Sequence, residues 1–227
     1  MATKLNIDDR AKIYSALGDP VRLAIVDQLT VSDLAPVELQ GITGLESNLL
    51  AHHLDILERA GLIVRSISNG DGRRRYVRLI SETFDLIHPS TTVAPSNVLF
   101  ICSMNSARSQ IAAALWTQCT GSPAQSAGTH PAQKVHPGAV AAAQRVGVDL
   151  RAAVPRALDD VKELPPIVIT VCDQAHEEIG SAMQWPHWSI SDPVVRGTKG
   201  AFDEVVSEIR ARIRARVGFN VNQIGAS

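Results

Sequence analysis

The stretch that decides the fold is Val98-Leu99-Phe100-Ile101-Cys102-Ser103-Met104-Asn105-Ser106-Ala107-Arg108-Ser109. Its first four residues predict a strand that is buried on both faces, and the polar turn after Cys102 leads into an alanine-rich helix that ends near Cys119. Residues 167–171 form a second apolar run, and Cys172 follows it directly. Buried strands separated by helices predict a parallel, helix-covered sheet. Both Cys102 and Cys172 then lie at the carboxyl edge of the sheet, where such folds bind ligands.

Weaker patterns complete this part of the chain. Short runs predict further strands at residues 124–126 and 188–190, and helical periodicity predicts helices at 137–146 and 201–217. We therefore predict an α/β three-layer sandwich with a four-stranded parallel sheet at residues 98–218, followed by a C-terminal tail at 219–227.

The first part of the chain has a different pattern. Capping residues and periodicity predict helices at residues 8–17, 20–29, 36–42 and 46–60. Strands at 62–67 and 74–79 flank Asn69-Gly70-Asp71-Gly72, a sequence typical of a hairpin turn. Helices followed by a hairpin predict a mainly α winged helix-turn-helix domain at residues 1–87. Residues 88–97 are rich in proline, serine and threonine and predict a linker.

Composition narrows the class of protein. The chain has 227 residues, of which 45% are hydrophobic and 20% charged, as in globular domains. Because it has neither an apolar run of about 20 residues nor an apolar signal segment, we expect a cytoplasmic protein with no membrane contact. Three cysteines are too few for a disulfide scaffold, so we expect reduced thiols. With a net charge of -1, nucleic-acid binding requires a local basic patch.

Residues 102–109 have the chemistry of an oxyanion-binding loop. Backbone N–H groups at a strand-to-helix turn form an anion nest, and Arg108 supplies a forked donor. The same positive field favours the thiolate of Cys102, which would attack the bound centre. Ser109 can donate to that thiolate, and Asn105 can brace the loop. The predicted oxyanion-binding residues are Ser103, Met104, Asn105, Ser106, Ala107, Arg108 and Ser109.

Asp192 is the predicted general acid. A thiolate that displaces an oxygen needs a proton donor for the leaving group. Asp192 is held by the following Pro193 on a loop after a predicted strand, which suits a donor of this kind.

Residues 97–217 resemble the low-molecular-weight tyrosine phosphatase family and are closer to its thiol-dependent arsenate reductase branch. The likeness rests on residues 98–115, on Ser126-Ala127-Gly128-Thr129, on His136-Pro137-Gly138-Ala139-Val140 and on Asp192-Pro193. It implies the low-molecular-weight phosphatase fold. It also implies a role for each of five residues: Cys102 as nucleophile, Arg108 as oxyanion clamp, Ser109 and Asn105 as loop support, and Asp192 as general acid.

Two departures help to separate the branches. The phosphatases usually carry aromatic residues after Asp-Pro, whereas Val194 and Val195 stand here and favour a small inorganic oxyanion, arsenate or phosphate. Thioredoxin-coupled reductases carry two further cysteines after the third strand. This chain has Cys172 in the first of those places but Ile179 in the second, so a relay of three internal cysteines is incomplete.

The second thiol of the reaction is therefore open. Either Cys172 forms a disulfide with Cys102 that an external reductant opens, or a small thiol resolves the Cys102 adduct directly. Cys172 as a buried cysteine without a catalytic role is a further alternative. No bound cofactor is expected. We expect an external reductant, which is either a redox protein or a low-molecular-weight thiol. The candidates are mycothiol, glutathione with glutaredoxin, and thioredoxin.

Residues 8–80 resemble the ArsR-type repressor family, most clearly at 16–26 and 50–63. The resemblance implies that the helix at 46–60 enters the major groove of DNA, that the hairpin contacts phosphates, and that the protein forms a homodimer. No metal is expected, because His52 and His53 have no partner at ligand spacing. The predicted DNA-binding residues are Ser47, Asn48, Ala51, His52, Arg73, Arg74, Arg75 and Arg78.

The leading interpretation is an arsenate reductase fused to an ArsR-type DNA-binding domain that regulates arsenic-response transcription. One alternative is a low-molecular-weight protein-tyrosine phosphatase. Another is a DNA-binding regulator whose C-terminal domain only senses an oxyanion or an oxidant.

Overall fold

The structure, a computed structural model, describes residues 6–80, 83, 96–180, 183–198 and 200–217. The chain divides into two compact units, Met1–Pro89 and Ser90–Ser227, and each is described by itself. Most of the predicted linker and the whole predicted tail lie outside the described residues, so the predicted limits at 1–87, 88–97, 98–218 and 219–227 stay a prediction. Within the described ranges, no helix is long and apolar enough to cross a bilayer.

The first unit consists of helices followed by a hairpin. Its elements are α1 (Ile7–Leu17), α2 (Pro20–Leu29), α3 (Pro36–Thr43), α4 (Ser47–Arg59), β1 (Ile63–Ile67) and β2 (Arg75–Leu79). The two strands pair antiparallel. Asp19 caps α2, because its carboxylate accepts hydrogen bonds from the backbone N–H groups of Val21 and Arg22.

Helix α4 has one buried face and one exposed face. Leu50, Leu54 and Leu57 are buried in the core of the first unit. On β1, Arg65 forms ion pairs with Asp55 and Glu58 of α4, so the hairpin is tied to this helix. The exposed face of α4 includes Ser47, Asn48, Ala51 and His52.

The second unit is an α/β domain with a parallel sheet. Strand β3 (Val98–Cys102) lies between β4 (Ala124–Gly128) and β5 (Ile167–Thr170), and all five of its residues are buried. The helices are α5 (Arg108–Thr120), α6 (Pro137–Arg145), α7 (Asp173–Ile179), α8 (Pro193–Arg196) and α9 (Ala201–Val217), with a 3-10 turn at Leu158–Asp160. Helix α9 packs against α5 and α6, whereas α7 packs against β3 and β5.

The prediction of a fourth strand at residues 188–190 is wrong. This segment meets β5 at a single bridge between Thr170 and His187, where Trp188 N donates to Thr170 O at 2.8 Å. It then runs past the end of β5, because β5 ends at Thr170 and the chain turns into α7 at Asp173. Ile190 O accepts a hydrogen bond from the Arg108 guanidinium at 2.9 Å instead. Among the described residues the parallel sheet has three strands, and the segment brings Asp192 to Arg108 instead.

Gly128 allows the end of β4 to lie against the loop that follows β3. In the parallel register it is the partner of Cys102. A Cβ atom at Gly128 would lie 2.6 Å from Ser103 O and 2.9 Å from Asn105 N. Both neighbours are backbone atoms that cannot swing aside, so a larger side chain would displace the loop.

Replacing Gly128 with alanine should lower the thermal midpoint of the second unit by several degrees. A forced backbone shift costs about 1–3 kcal/mol, and each kcal/mol lowers the midpoint by roughly 2–8 °C in a domain of this size. All three tryptophans lie in the second unit, so their fluorescence follows its unfolding. Gly200→Ala is the control, because the nearest neighbour of a Cβ atom there would be the Glu204 side chain at 3.9 Å, an ordinary contact, and Gly200 has no left-handed φ. Equal midpoints for G128A and the wild type would contradict this packing.

Candidate active site

The predicted oxyanion loop connects β3 to α5 at the carboxyl edge of the sheet. Cys102 is the last residue of β3, and Arg108 is the first residue of α5. Both side chains are almost completely buried. Of the other predicted loop residues, Ser106 is half-buried and Met104 is exposed, whereas the buried ones are Ser103, Asn105, Ala107 and Ser109.

Two hydrogen bonds orient the nucleophile. Asn105 Nδ2 donates to Ser109 Oγ at 2.8 Å, and Ser109 Oγ lies 3.0 Å from Cys102 Sγ. Because Asn105 supplies the donor to Ser109 Oγ, the hydroxyl hydrogen of Ser109 can point at the sulfur of Cys102. A donor aimed at that sulfur fixes the direction of the Cys102 side chain, the candidate nucleophile.

Asn105 is itself held by two residues that the sequence analysis missed. Its backbone is left-handed, with a φ of 45°. Gln110 Nε2 donates to its Oδ1 at 3.1 Å and to its carbonyl oxygen at 3.2 Å, and Arg156 N donates to its Oδ1 at 2.9 Å. Gln110 lies beside the loop in sequence and could have been suspected. Nothing in the sequence around Arg156 indicates that its backbone reaches this loop.

Arg108 and Asp192 form an ion pair in the site. The Arg108 guanidinium donates to Asp192 Oδ2 at 2.6 Å and to Ile190 O at 2.9 Å. Burial acts to lower the pKa of Arg108, but three nearby acidic groups, Cys172, Cys102 and Asp192, outweigh burial when they are ionised and raise that pKa. The guanidinium therefore stays charged, and an oxyanion entering the loop competes with Asp192 for it.

The second cysteine, Cys172, contacts the same loop. Its Sγ accepts hydrogen bonds from Ser103 N at 3.1 Å and from Ala175 N at 3.4 Å, and it caps the N-terminus of α7. The side chain is fully buried. Burial raises the pKa of Cys172 to about 11, although Arg108 acts in the opposite direction. The structure thus brings Cys102, Arg108, Asp192 and Cys172 together, with both cysteines as free thiols.

The predicted DNA-binding residues lie in the first unit. Ser47, Asn48, Ala51 and His52 are exposed on α4, although Ser47 Oγ already accepts a hydrogen bond from Gln40 at 2.9 Å. In the hairpin, Arg73 is paired with Asp71, with 3.1 Å between the charged atoms. The other predicted arginines of the hairpin are the exposed Arg74 and Arg75 and the half-buried Arg78. Within the part of the chain that the structure describes, no group of three His, Cys, Asp or Glu side chains is arranged to hold a metal ion.

Comparison with known proteins places the oxyanion loop in a family. Residues 97–223 match the model described as low molecular weight phosphotyrosine protein phosphatase. Similar solved structures include an arsenate reductase from Archaeoglobus fulgidus, with 27% identity over 54% of this chain and 99% of that chain at a TM-score of 0.46. A thioredoxin-dependent arsenate reductase of Corynebacterium glutamicum has 30% identity over 55% of this chain and 60% of that chain, with a TM-score of 0.40.

A tyrosine phosphatase of Erwinia amylovora is also similar, with 18% identity over 56% of this chain and 94% of that chain at a TM-score of 0.47. The family model covers more than half of the present chain, including β3, the oxyanion loop and Asp192. The chain therefore belongs to the low molecular weight phosphotyrosine protein phosphatase family.

Proposed function

We propose that the second unit reduces arsenate to arsenite with Cys102 as nucleophile and Cys172 as the second thiol. The observation that carries the proposal is the contact of Cys172 Sγ with the backbone N–H of Ser103, inside the loop that would hold the oxyanion. Hydrolysis of a phosphate ester needs one nucleophilic thiol, whereas reduction of arsenic takes two electrons and a second sulfur. A second buried thiol in contact with the loop supports the reductase over the phosphatase.

The first step forms a bond between Cys102 and arsenic. Arsenate binds to the loop N–H groups and to Arg108, which neutralises its charge and separates Arg108 from Asp192. The Cys102 thiolate attacks arsenic and displaces one hydroxyl group of arsenate. Asp192, which takes up a proton once Arg108 has turned to the oxyanion, donates that proton to the hydroxyl group, which departs as water.

The second step transfers the electrons. The Cys172 thiol loses its proton, and its sulfur attacks Cys102 Sγ. A disulfide forms, the sulfur–arsenic bond breaks, and its electron pair leaves with arsenic, which is released as arsenite. An external thiol, from thioredoxin, glutaredoxin with glutathione, or mycothiol, then reduces the Cys102–Cys172 disulfide. No bound cofactor takes part in this scheme.

The surroundings of Asp192 support a small substrate. The next helix, α8, carries Val194 and Val195, and both side chains are exposed. A phosphotyrosine ring would find no aromatic side chain to stack on in this helix. Arsenate needs no such wall, because its oxygens can be bound by the backbone N–H groups of the loop and by Arg108.

We further propose that the first unit is an ArsR-type winged helix-turn-helix domain that binds DNA and regulates arsenic-response transcription. Two surfaces support DNA binding: the exposed face of α4 and the arginines of the hairpin. The ion pairs of Arg65 with α4 hold the hairpin and this helix together, so both can contact one duplex. Helix α1 leaves Ile7 and Tyr14 exposed, which supports a homodimer through this helix. A cytoplasmic location fits both proposed activities.

Substitution of the cysteines separates the two enzyme activities. Cys102→Ser should lose arsenate reduction and para-nitrophenyl phosphate hydrolysis by about 10⁴-fold or more, because both need the nucleophile. Cys172→Ser should lose only the reduction. Arsenite release is measured with each of the three reductants. Cys119→Ser is the control, as this half-buried thiol is absent from the proposed chemistry.

The outcomes exclude one another. Hydrolysis without arsenate reduction in the wild type would establish the phosphatase. Full reduction by C172S with a small thiol would show that the external thiol resolves the adduct directly. No turnover of arsenate or of para-nitrophenyl phosphate would favour a DNA-binding regulator whose C-terminal domain only senses an oxyanion or an oxidant.

The second step should accelerate with pH. The pKa of Cys172 is about 11, so the reactive thiolate is a small fraction at neutral pH. Below that pKa the thiolate fraction rises about tenfold per pH unit. Single-turnover formation of the disulfide, followed by rapid quenching between pH 7 and pH 9, should rise accordingly. A flat profile would rule out ionisation of Cys172 as the limiting event.

Removing arginines from the hairpin tests the DNA proposal. Arg74→Ala and Arg75→Ala should each weaken binding to a short random-sequence duplex and lower the salt dependence of log Kd by about one. Fluorescence anisotropy over a range of salt concentrations gives the slope. Arg151→Ala, which removes an exposed arginine of the second unit, should leave it unchanged. An unchanged slope in both hairpin variants would contradict phosphate contact by these arginines.

A further inference from the structure

A fully buried polar cluster adjoins Cys172. Asp173, the next residue in the chain, and His187 are both completely buried, and His187 Nε2 lies 3.2 Å from Asp173 Oδ1. The other ring nitrogen of His187 lies 3.0 Å from Thr170 Oγ1 and 3.3 Å from Thr170 O. Burial of such groups costs free energy unless each has a partner, and here the partners lie within the cluster.

The Asp173–His187 contact joins two segments that carry different parts of the site. Asp173 begins α7, directly after Cys172. His187 lies on the segment that bridges to β5 and then runs to Ile190 and Asp192, the two partners of Arg108. One side-chain contact therefore links the second thiol to the segment that holds Arg108 and the proposed general acid.

The contact also bears on the charge near Cys172. Asp173 is close enough to Arg108 to act on its pKa, although burial and the charges of Cys172, Cys102 and Asp192 weigh more. A carboxylate without a partner at this position would oppose ionisation of the neighbouring thiol. His187 directs a ring nitrogen at that carboxylate and offsets part of its charge.

We propose that Asp173 and His187 are positioning residues for Cys172 as the second thiol. The pair fixes the first turn of α7, and so holds Cys172 Sγ against the N–H groups of Ser103 and Ala175, within reach of the oxyanion loop. The inference rests on the proposed use of Cys172 to form a disulfide with Cys102. It assigns no contact with substrate to either residue.

The role can be tested without arsenate, by using hydrogen peroxide as the oxidant. The Cys102 thiolate attacks peroxide, takes one oxygen as a sulfenic acid and releases hydroxide. The Cys172 thiol then attacks that sulfur, forming the disulfide and releasing water. The first step needs only Cys102, whereas the second needs Cys172 in position. Dimedone traps the sulfenic acid, so the ratio of trapped Cys102 to disulfide, read by mass spectrometry, measures the second step.

Asp173→Asn keeps the shape of the side chain and removes its charge, and His187→Ala removes the ring. Both should raise the ratio of dimedone adduct to disulfide at least fivefold, with peroxide consumption by Cys102 within twofold of the wild type. His187→Gln retains an N–H donor and should restore much of the disulfide. His176→Gln is the comparison for the rest of the cluster, because the His176 ring stacks on His187 at 4.1 Å between ring centroids and lies 3.2 Å from Thr170 Oγ1, and the substitution changes neither member of the Asp173–His187 contact. Cys172→Ser cannot form the disulfide with Cys102 and therefore gives the maximum amount of dimedone adduct.

Two results would overturn the inference. One is a ratio of dimedone adduct to disulfide in D173N and H187A that equals the wild-type ratio. The other is an equal fall of both steps together with a lower tryptophan-detected unfolding midpoint, which would indicate a general structural role. Wild-type protein that forms the disulfide with peroxide but makes no arsenite from arsenate would contradict the proposed reductase alone.

Discussion

Asn105 adopts a left-handed backbone in the middle of the oxyanion loop, and the geometry of the site follows from how it is held. A residue with a Cβ atom pays about 1–2 kcal/mol for this conformation. The hydrogen bonds that Asn105 accepts from Gln110 and from the backbone of Arg156 offset this cost. The Asn105 side chain also donates to Ser109. The loop can close only because Gly128 places no side chain against Asn105 N. Orientation of the Cys102 sulfur is therefore set by packing around one residue.

The parts of the fold that depend on local sequence could be predicted. The strand–loop–helix around Cys102 follows from an apolar run, a polar turn and an alanine-rich helix, and the structure forms these elements at residues 98–120. The carboxyl-edge rule also placed Cys172 beside the loop. The fourth strand failed because β5 ends at Thr170, the residue that bridges to His187, so residues 188–190 run past its end. No pattern of hydrophobicity reveals this register.

The residues that support the site were harder to find. Arg156 N lies 51 residues from its partner Asn105, and Asp173 lies 14 residues from His187. A glutamine, histidine or aspartate that positions a catalytic residue without contacting the substrate has no characteristic sequence spacing. Its role becomes visible only when burial and distance are known. Cys172 could be placed near Cys102 from the sequence, because each follows a buried strand and the carboxyl ends of β3 and β5 lie side by side in one sheet.

The distinction between a phosphatase and a reductase on this fold depends on the fate of Cys172, and one experiment follows it directly. The three cysteines fall in three tryptic peptides, 79–108, 109–134 and 163–196. Reduced protein is mixed with one equivalent of arsenate without external reductant, alkylated and digested. We predict one equivalent of arsenite and a disulfide between the first and third peptides, with Cys119 alkylated. Arsenate left unreduced, with all three cysteines alkylated, would contradict it.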